Sequence, residues 1–126
     1  MYPVTLALRD RPVLVVGGGE VALRKVEGLL AEGARLTVIA PEAVPPLEEM
    51  AGRGALALRR RAFRAADVAV FELVFAATDD RAVNARVFEE ARGAGIWVNV
   101  ADDPELCTFH LPARVRRGAL QLSIAS

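Results

Sequence analysis

The chain has 126 residues, of which 53% are hydrophobic and 25% are charged, and its 16 basic side chains balance 16 acidic ones. This composition predicts one globular domain with enough apolar material for a core, and it excludes a disordered tail, a collagen-like repeat and a disulfide scaffold. A formal net charge of zero supplies no overall field that would attract nucleic acid or a membrane surface, so neither is an expected partner.

The sequence also favours a reducing compartment. Its single cysteine, Cys107, cannot form an internal disulfide. No basic stretch and no small-residue cleavage site follow Met1, and no apolar run reaches the ~18 residues that a membrane span needs. We therefore expect a cytoplasmic protein.

Short apolar runs and amphipathic stretches alternate along the chain. Runs typical of buried strands occupy residues 13–16, 35–40, 55–59, 71–77 and 96–100, and two further strand candidates follow at residues 109–115 and 119–125. Apolar residues recur at helical spacing in residues 20–32, 47–51 and 83–91. Strands that alternate with helices predict an α/β fold with a mostly parallel sheet and helices on both of its faces.

The ends of the predicted helices carry their own signals. Gly33 stands where a left-handed residue often ends a helix, and Pro46 suits the first turn of the short second helix. Thr78, Asp79 and Asp80 each offer an N-cap for the third helix.

The strongest local signal is a glycine-rich turn between the first strand and the first helix. Gly17, Gly19 and Ala22 occupy the three key places of the fingerprint G-x-G-x-x-G/A. Gly17 permits the tight turn, Gly19 lets a pyrophosphate approach the backbone, and Ala22 lets the helix pack closely on the strand. The turn predicts a Rossmann-like, doubly wound fold that binds a dinucleotide at the helix N-terminus. The alternative is a structural glycine turn in an unrelated α/β domain.

The acidic residue that usually ends the second strand of such folds is absent, because that strand ends at Ala40 and Pro41. Glu42 follows a little later and has two interpretations, a ligand of the ribose hydroxyls or a solvated loop carboxylate. No arginine stands beside it to favour a 2′-phosphate, so we expect NAD rather than NADP as the cofactor.

Two polar loops follow strand ends at the carboxyl edge of the predicted sheet, where ligands bind in open α/β folds. They nominate Thr78, Asp79, Asn99, Asp102 and Asp103 as candidate site residues, of which we assign Thr78 and Asp79 to the cofactor. The alternative is structural, with Thr78 and Asp79 capping the next helix and Asp103 forming a turn with the proline that follows it.

Several segments also share their linear order with one known family. They are residues 6–11 (LALRDR), 17–25 (GGGEVALRK), 37–41 (TVIAP), 76–80 (AATDD) with Asn84, 98–107 (VNVADDPELC), and Phe109 with Pro112. Together they resemble the precorrin-2 dehydrogenase domain of siroheme synthase over nearly the whole chain.

The resemblance implies NAD-dependent oxidation of precorrin-2 to sirohydrochlorin, both of them tetrapyrroles. In some members of the family the same site also inserts ferrous iron to give siroheme. The family's essential aspartate maps onto Asp102, and its NAD contacts map onto Glu20, Val21, Pro41 and Glu42. A homodimer is implied as well.

The resemblance further sets the expected domain boundaries. Residues 1–113 would form the NAD-binding Rossmann domain, and residues 114–126 would begin a C-terminal segment for dimerisation and substrate binding. Family members continue into a Ser/Thr-Gly-Gly segment and a helical region, so we expect the segment that stops at Ser126 to be truncated. His110 departs from the family, in which an apolar residue is more common at that position.

The chemistry of the implied reaction assigns a role to one carboxylate. Dehydrogenation removes a hydride, which NAD takes, and a proton, which Asp102 would accept as a general base. The rival interpretation of Asp102 is a structural turn residue. No cluster of His, Cys and Asp has metal-ligand spacing, so no stable metal site is expected. We interpret His110 as a packed or surface residue and Cys107 as a small buried apolar one.

Two arginine clusters could pair with the carboxylates of such a substrate. One comprises Arg114, Arg116 and Arg117, and the other occupies residues 59–61. A solvated strand edge explains each cluster equally well.

A non-enzymatic function competes with the dehydrogenase. An NAD-sensing module, such as the regulatory domain of a potassium transporter, also carries the glycine turn. It normally has an acidic residue where this chain has Ala40 and Pro41, and it has no use for the loop that contains Asp102. A third interpretation is an NAD-binding domain detached from another reductase.

Overall fold

The computed structural model describes residues 1–111, 113–117 and 120–124, the last two segments as backbone only. Strands, α-helices and 3₁₀ helices alternate in these residues. In chain order they are β1 Pro12–Val16, α1 Glu20–Ala31, β2 Arg35–Ile39, α2 Pro45–Gly52, β3 Ala57–Arg59, a 3₁₀ helix Ala65–Val68, β4 Leu73–Ala76, α3 Arg81–Gly93, β5 Trp97–Val100, a 3₁₀ helix Pro104–Leu106, β6 Ala113–Arg117 and β7 Leu120–Ile124.

The first five strands form one parallel sheet in the order β3-β2-β1-β4-β5. Val16, the last residue of β1, lies opposite Ile39 of β2 on one side and Ala76 of β4 on the other. From β1 the chain builds the sheet outward through β2 and β3, and it then returns to place β4 on the other side. Because the switch point lies between β1 and β4, the crevice for a ligand is expected at their carboxyl ends. The predicted fold class is confirmed.

The sheet is buried on both faces. Val13 and Val15 belong to the core formed with α1 and α2, whereas Leu14 and Val16 belong to the core formed with α3 and the 3₁₀ helix Ala65–Val68. These four side chains are at most 2% exposed. A continuous apolar run such as this one is typical of a central parallel strand, because neighbouring side chains point to opposite, equally covered faces.

The ends of the helices follow the sequence signals closely. After α1, Gly33 has a φ of 81°, the left-handed conformation expected there. Pro45 and Pro46 both lie in the first turn of α2, so this helix begins two residues earlier than predicted. Asp80 is the N-cap of α3, since its carboxylate accepts from the N–H groups of Ala82 and Val83 at 2.9 and 3.3 Å.

The C-terminal part differs from the prediction of a strand over residues 109–115. The strand β6 begins at Ala113 and pairs only with β7, antiparallel, with Val115 opposite Leu122. Upstream of it, Thr108 bonds to the outer edge of β5, where its N–H donates to the carbonyl of Val98 at 2.8 Å. Periodicity alone did not separate this edge contact from a strand. Pro112, Gly118, Ala119, Ala125, Ser126 and the side chains of the β6 arginines lie outside the described residues.

No helix in the described part of the chain combines the length and the apolarity of a membrane span.

Candidate functional site

The glycine turn combines two tightly packed glycines with one that faces open space. Gly17 has a φ of 139°, and a Cβ built on it would collide with the carbonyl oxygen of Ala77. A Cβ on Gly18 would collide with the carbonyl oxygen of Glu42. A Cβ on Gly19 would meet nothing within 4 Å. The fold therefore requires the first two glycines, whereas the third leaves room above the backbone for a ligand.

The loop after β2 lies against this turn. The N–H of Val44 donates to the carbonyl of Gly18 at 2.8 Å, and the N–H of Gly17 donates to the carbonyl of Ile39 at 3.0 Å. Pro41 and Glu42, between these two anchors, are both exposed. The structure thus brings the predicted cofactor residues of the two loops together. The Glu42 carboxylate makes no hydrogen bond or ion pair within the described residues.

The N-terminus of α1 opens beside the exposed glycine. Its N-cap is Gly19, in extended backbone with a φ of −96°, and no side chain caps it. The first-turn residues Glu20 and Val21 follow directly, and Glu20 is exposed. Uncapped N–H groups and the positive end of the helix dipole suit a phosphate. These residues therefore fit the pyrophosphate of a dinucleotide.

The loop after β4 forms the other side of the crevice. The Thr78 hydroxyl lies 2.6 Å from Oδ1 of Asn84, and it accepts from the N–H of Asp80 at 3.1 Å. The hydroxyl of this predicted cofactor residue is therefore engaged within the loop. Asp79 is exposed and its carboxylate has no hydrogen bond or ion pair among the described residues. Neither Thr78 nor Asp79 caps α3, because that role belongs to Asp80.

A cleft of about 340 Å³ opens beyond this loop, at the carboxyl ends of β4 and β5. The residues that line it are Thr78, Arg81, Asn84, Val100, Ala101, Asp102 and Asp103. Asp102 is exposed and has a φ of 59°, a left-handed conformation that is uncommon outside glycine. Asp103 takes part in a turn, since its carbonyl accepts from the N–H of Leu106 at 3.0 Å. This bond supports the interpretation of Asp103 as a turn residue.

Arg81 was not among the site residues nominated from the sequence. It is the first residue of α3, it is exposed, and it has no salt bridge in the described residues although Asp102 and Asp103 line the same cleft. A cation in the first turn of a helix is unfavourable to the helix dipole. Its position directly after an N-cap aspartate was the only available signal.

The segment after the cleft is held to β5 by side chains. Nδ2 of Asn99 donates to the carbonyl of Phe109 at 3.0 Å, and the Phe109 ring meets the Phe75 ring edge-on at 5.5 Å between centroids. Oγ1 of Thr108 accepts from the N–H of Val98 at 2.9 Å. Asn99, nominated from the sequence, therefore has a structural partner.

Cys107 is half-buried, and burial raises the pKa of its thiol because the charged thiolate is disfavoured away from water. Its Sγ accepts from the N–H of Val100 at 3.2 Å. His110 is exposed, and its Nε2 lies 3.4 Å from the carbonyl oxygen of Pro104. Across residues 1–111 and the two C-terminal strands, no three His, Cys, Asp or Glu side chains are arranged to hold a metal ion.

A larger groove, of about 550 Å³, lies at the opposite, amino edge of the sheet. Pro12, Arg35 and Ala57 are among its lining residues, and none of the candidate site residues is. Size alone therefore does not locate the site, because ligands of open parallel sheets bind at the carboxyl edge.

Comparison with known families agrees with this geometry. The sequence matches a family model with the description "Putative NAD(P)-binding" over residues 4–113. The chain belongs to this NAD(P)-binding family. The matched residues include the glycine turn, the loop after β2 and the cleft with Asp102.

Similar proteins of known sequence include the siroheme synthases of Methylococcus capsulatus and Ectopseudomonas mendocina, 50% and 48% identical over 124 residues. Each alignment covers 98% of this chain and 26% of the relative. The chain thus spans about a quarter of the length of these relatives. Among solved structures, a precorrin-2 dehydrogenase named SirC is 35% identical with a TM-score of 0.83, covering 100% of this chain and 62% of that one.

Proposed function

We propose that the chain catalyses the NAD-dependent oxidation of precorrin-2 to sirohydrochlorin in siroheme biosynthesis. The names of its relatives support this activity. The observation that carries it is the position of Asp102, whose carboxylate lines an open cleft at the same sheet edge as the glycine turn. A cofactor alone would need only the glycine turn, whereas an oxidation also needs a group that takes a proton.

The cofactor half of the proposal rests on backbone. Gly17 shapes the turn, Gly19 leaves the pyrophosphate room, and the first-turn N–H groups at Glu20 and Val21 donate to its oxygens. Pro41 and Glu42, held beside the turn by the bond from Val44 to Gly18, would border the adenosine ribose.

The catalytic half rests on side chains. NAD, when bound, supplies the acceptor for the hydride. Asp102 accepts the proton that leaves the macrocycle with it, so that one hydride and one proton are removed together. Asp79, which is exposed, would border the nicotinamide end. Thr78 would line the cofactor crevice without donating to the cofactor, because its hydroxyl and its N–H are both bonded to Asn84.

Charge at the cleft suits the proposed substrate, a tetrapyrrole with several carboxylates. Arg81, which has no salt bridge within the described residues, would pair with one of them. Insertion of ferrous iron would release two ring N–H protons, which the Asp102 carboxylate would accept one at a time and pass on to solvent. We include this second activity, a homodimer and a cytoplasmic location in the proposal.

The deciding experiment mixes the purified protein with precorrin-2 and NAD. We expect the sirohydrochlorin spectrum to appear together with an equal amount of NADH. A full-length siroheme synthase serves as the positive control, because this chain spans about a quarter of such relatives. Binding of NAD without turnover, where the control is active, would contradict the dehydrogenase activity proposed for this chain.

A further inference from the structure

Two buried polar side chains, Asn84 and Asn99, occur in the part of the chain that the structure describes, at 7% and 8% exposure. A buried amide must find partners inside the protein, because an unpaired one loses its bonds to water without replacement. The partner of Asn99 is the carbonyl of Phe109, in the segment that covers β5. Every hydrogen bond of the Asn84 side chain goes to one residue of the nucleotide crevice, Thr78.

The Asn84 side chain is hydrogen-bonded to three groups of Thr78, which are its N–H, its hydroxyl and its carbonyl. Its Oδ1 accepts from the Thr78 N–H at 3.2 Å and from the Thr78 hydroxyl at 2.6 Å. Its Nδ2 donates to the Thr78 carbonyl at 3.1 Å. The main ladder of the sheet ends just before this point, with the N–H of Ala77 bonded to Val16 at 2.8 Å. Asn84 therefore replaces the strand partner that Thr78 lacks.

These contacts reach the glycine turn through one rigid group. The N–H of Thr78 and the carbonyl of Ala77 belong to the same peptide, which is planar. Asn84 holds the N–H end of this peptide, so the carbonyl end is fixed as well. That carbonyl oxygen occupies the space into which a Cβ on Gly17 would project. The orientation of this peptide therefore determines how closely the Ala77 carbonyl packs against Gly17.

We propose that Asn84 is a positioning residue for the nucleotide, which it affects without touching it by fixing the Ala77–Thr78 peptide against Gly17. The proposal rests on NAD binding and not on the identity of the oxidised substrate. A role in helix capping does not account for Asn84, because the N-cap of α3 is Asp80. All three hydrogen bonds of the side chain instead go to Thr78, on the wall of the crevice.

The test compares Asn84→Ala with Asn99→Ala, a control matched in residue type and burial. Calorimetric titration with NAD, corrected for the folded fraction, should show affinity weakened by about tenfold in Asn84→Ala and by less than about twofold in Asn99→Ala. In the nucleotide-free protein, the Thr78 amide should exchange with solvent faster in Asn84→Ala only, because only this variant removes its acceptor.

A conservative variant guards against a failure of Asn84→Ala to fold. Asn84→Asp keeps the oxygen that accepts from the Thr78 N–H and hydroxyl and loses only the donor to the Thr78 carbonyl, so its NAD affinity should fall by less than that of Asn84→Ala. Unchanged affinity in Asn84→Ala, or equal losses in Asn84→Ala and Asn99→Ala, would overturn the proposal. So would an Asn84→Asp variant as defective as the alanine one. The titrations contain no tetrapyrrole, so a failed dehydrogenase assay leaves their outcome standing.

Discussion

Two helices begin at the same edge of the sheet, and their N-termini are built differently. At α3 the carboxylate of Asp80 accepts two of the free N–H groups. At α1 the N-cap is Gly19, and no side chain accepts a hydrogen bond from the free N–H groups of the first turn. Both helices follow neighbouring strands, β1 and β4, so the difference does not come from the surrounding architecture.

The difference separates a helix end that is completed by the protein from one that is left for a ligand. A glycine N-cap costs only a few tenths of a kcal/mol relative to serine or aspartate. An aspartate at position 19 would place a negative charge where the phosphates of a dinucleotide are expected. A missing cap beside an open glycine is therefore informative, and changing either helix end should affect different properties.

The largest effect is expected from closing the open end. Gly19→Val should abolish NAD binding in a calorimetric titration while the protein stays folded, because the side chain enters the proposed space of the pyrophosphate and its Cβ meets no protein atom within 4 Å. Gly17→Val is the matched contrast and should fail to fold normally, since its Cβ would meet the Ala77 carbonyl. Retained NAD affinity in Gly19→Val would show that the open glycine does not receive the nucleotide.

The next effect leaves both helix ends intact and changes the chemistry alone. Asp102→Asn should keep the NAD affinity and the fold, and it should lower the rate of precorrin-2 oxidation by about 10²–10⁴, the range for loss of a general base. Iron insertion, the second proposed activity, should slow as well. Asp103→Asn is the control and should lose less, because the backbone of Asp103 forms a turn. Normal turnover in Asp102→Asn, or a larger loss in Asp103→Asn, would contradict the assignment.

A smaller effect concerns the choice of nucleotide at the open end. NAD should bind roughly tenfold more tightly than NADP, because the loop proposed to border the ribose carries Glu42 and has no arginine next to it in sequence. Arg60, which follows β3 at this edge, is already bound to Glu48 by three hydrogen bonds of 2.7–3.0 Å. Parallel titrations with both nucleotides measure the preference, and tighter binding of NADP would reverse it.

The smallest effect on function is expected from opening the capped end. Asp80→Ala should lower the free energy of unfolding by about 1 kcal/mol, since two N–H groups lose their acceptor. Denaturant unfolding measures this loss, and the NAD affinity of the folded protein should change by less than about twofold. A larger loss of NAD affinity than of stability would place the N-terminus of α3 in the nucleotide site too.

Much of this architecture was predictable because burial leaves a direct trace in sequence. The run of Val13 to Val16 and its counterparts predicted central parallel strands, and the spacing of Gly17 and Gly19 predicted the phosphate turn. The polar loop after the fifth strand nominated Asp102, and the resemblance assigned its catalytic role. The strands were predictable because periodicity shows which faces are apolar, and the phosphate turn was predictable because it is a short motif.

The features that could not be predicted are side-chain hydrogen bonds. Periodicity does not show which polar atoms come together in the fold. Asn84 reaches back six residues to Thr78, and Thr108 meets β5 across ten residues, so neither pairing could be identified before the loops were placed. For the same reason the sequence named three candidate caps for α3 without selecting Asp80. Arg81 was missed because a lone surface arginine has no pattern.

At Asp102 the backbone conformation favours glycine, whereas the proposed chemistry needs a carboxylate. A left-handed φ of 59° is cheapest for glycine and costs a residue with a side chain up to about 1–2 kcal/mol, somewhat less for aspartate. A chain selected for stability alone would therefore drift toward glycine or asparagine here. With the proposed catalytic role, the carboxylate of Asp102 comes at a conformational cost to stability, and a chain without the activity would have no functional reason to carry it.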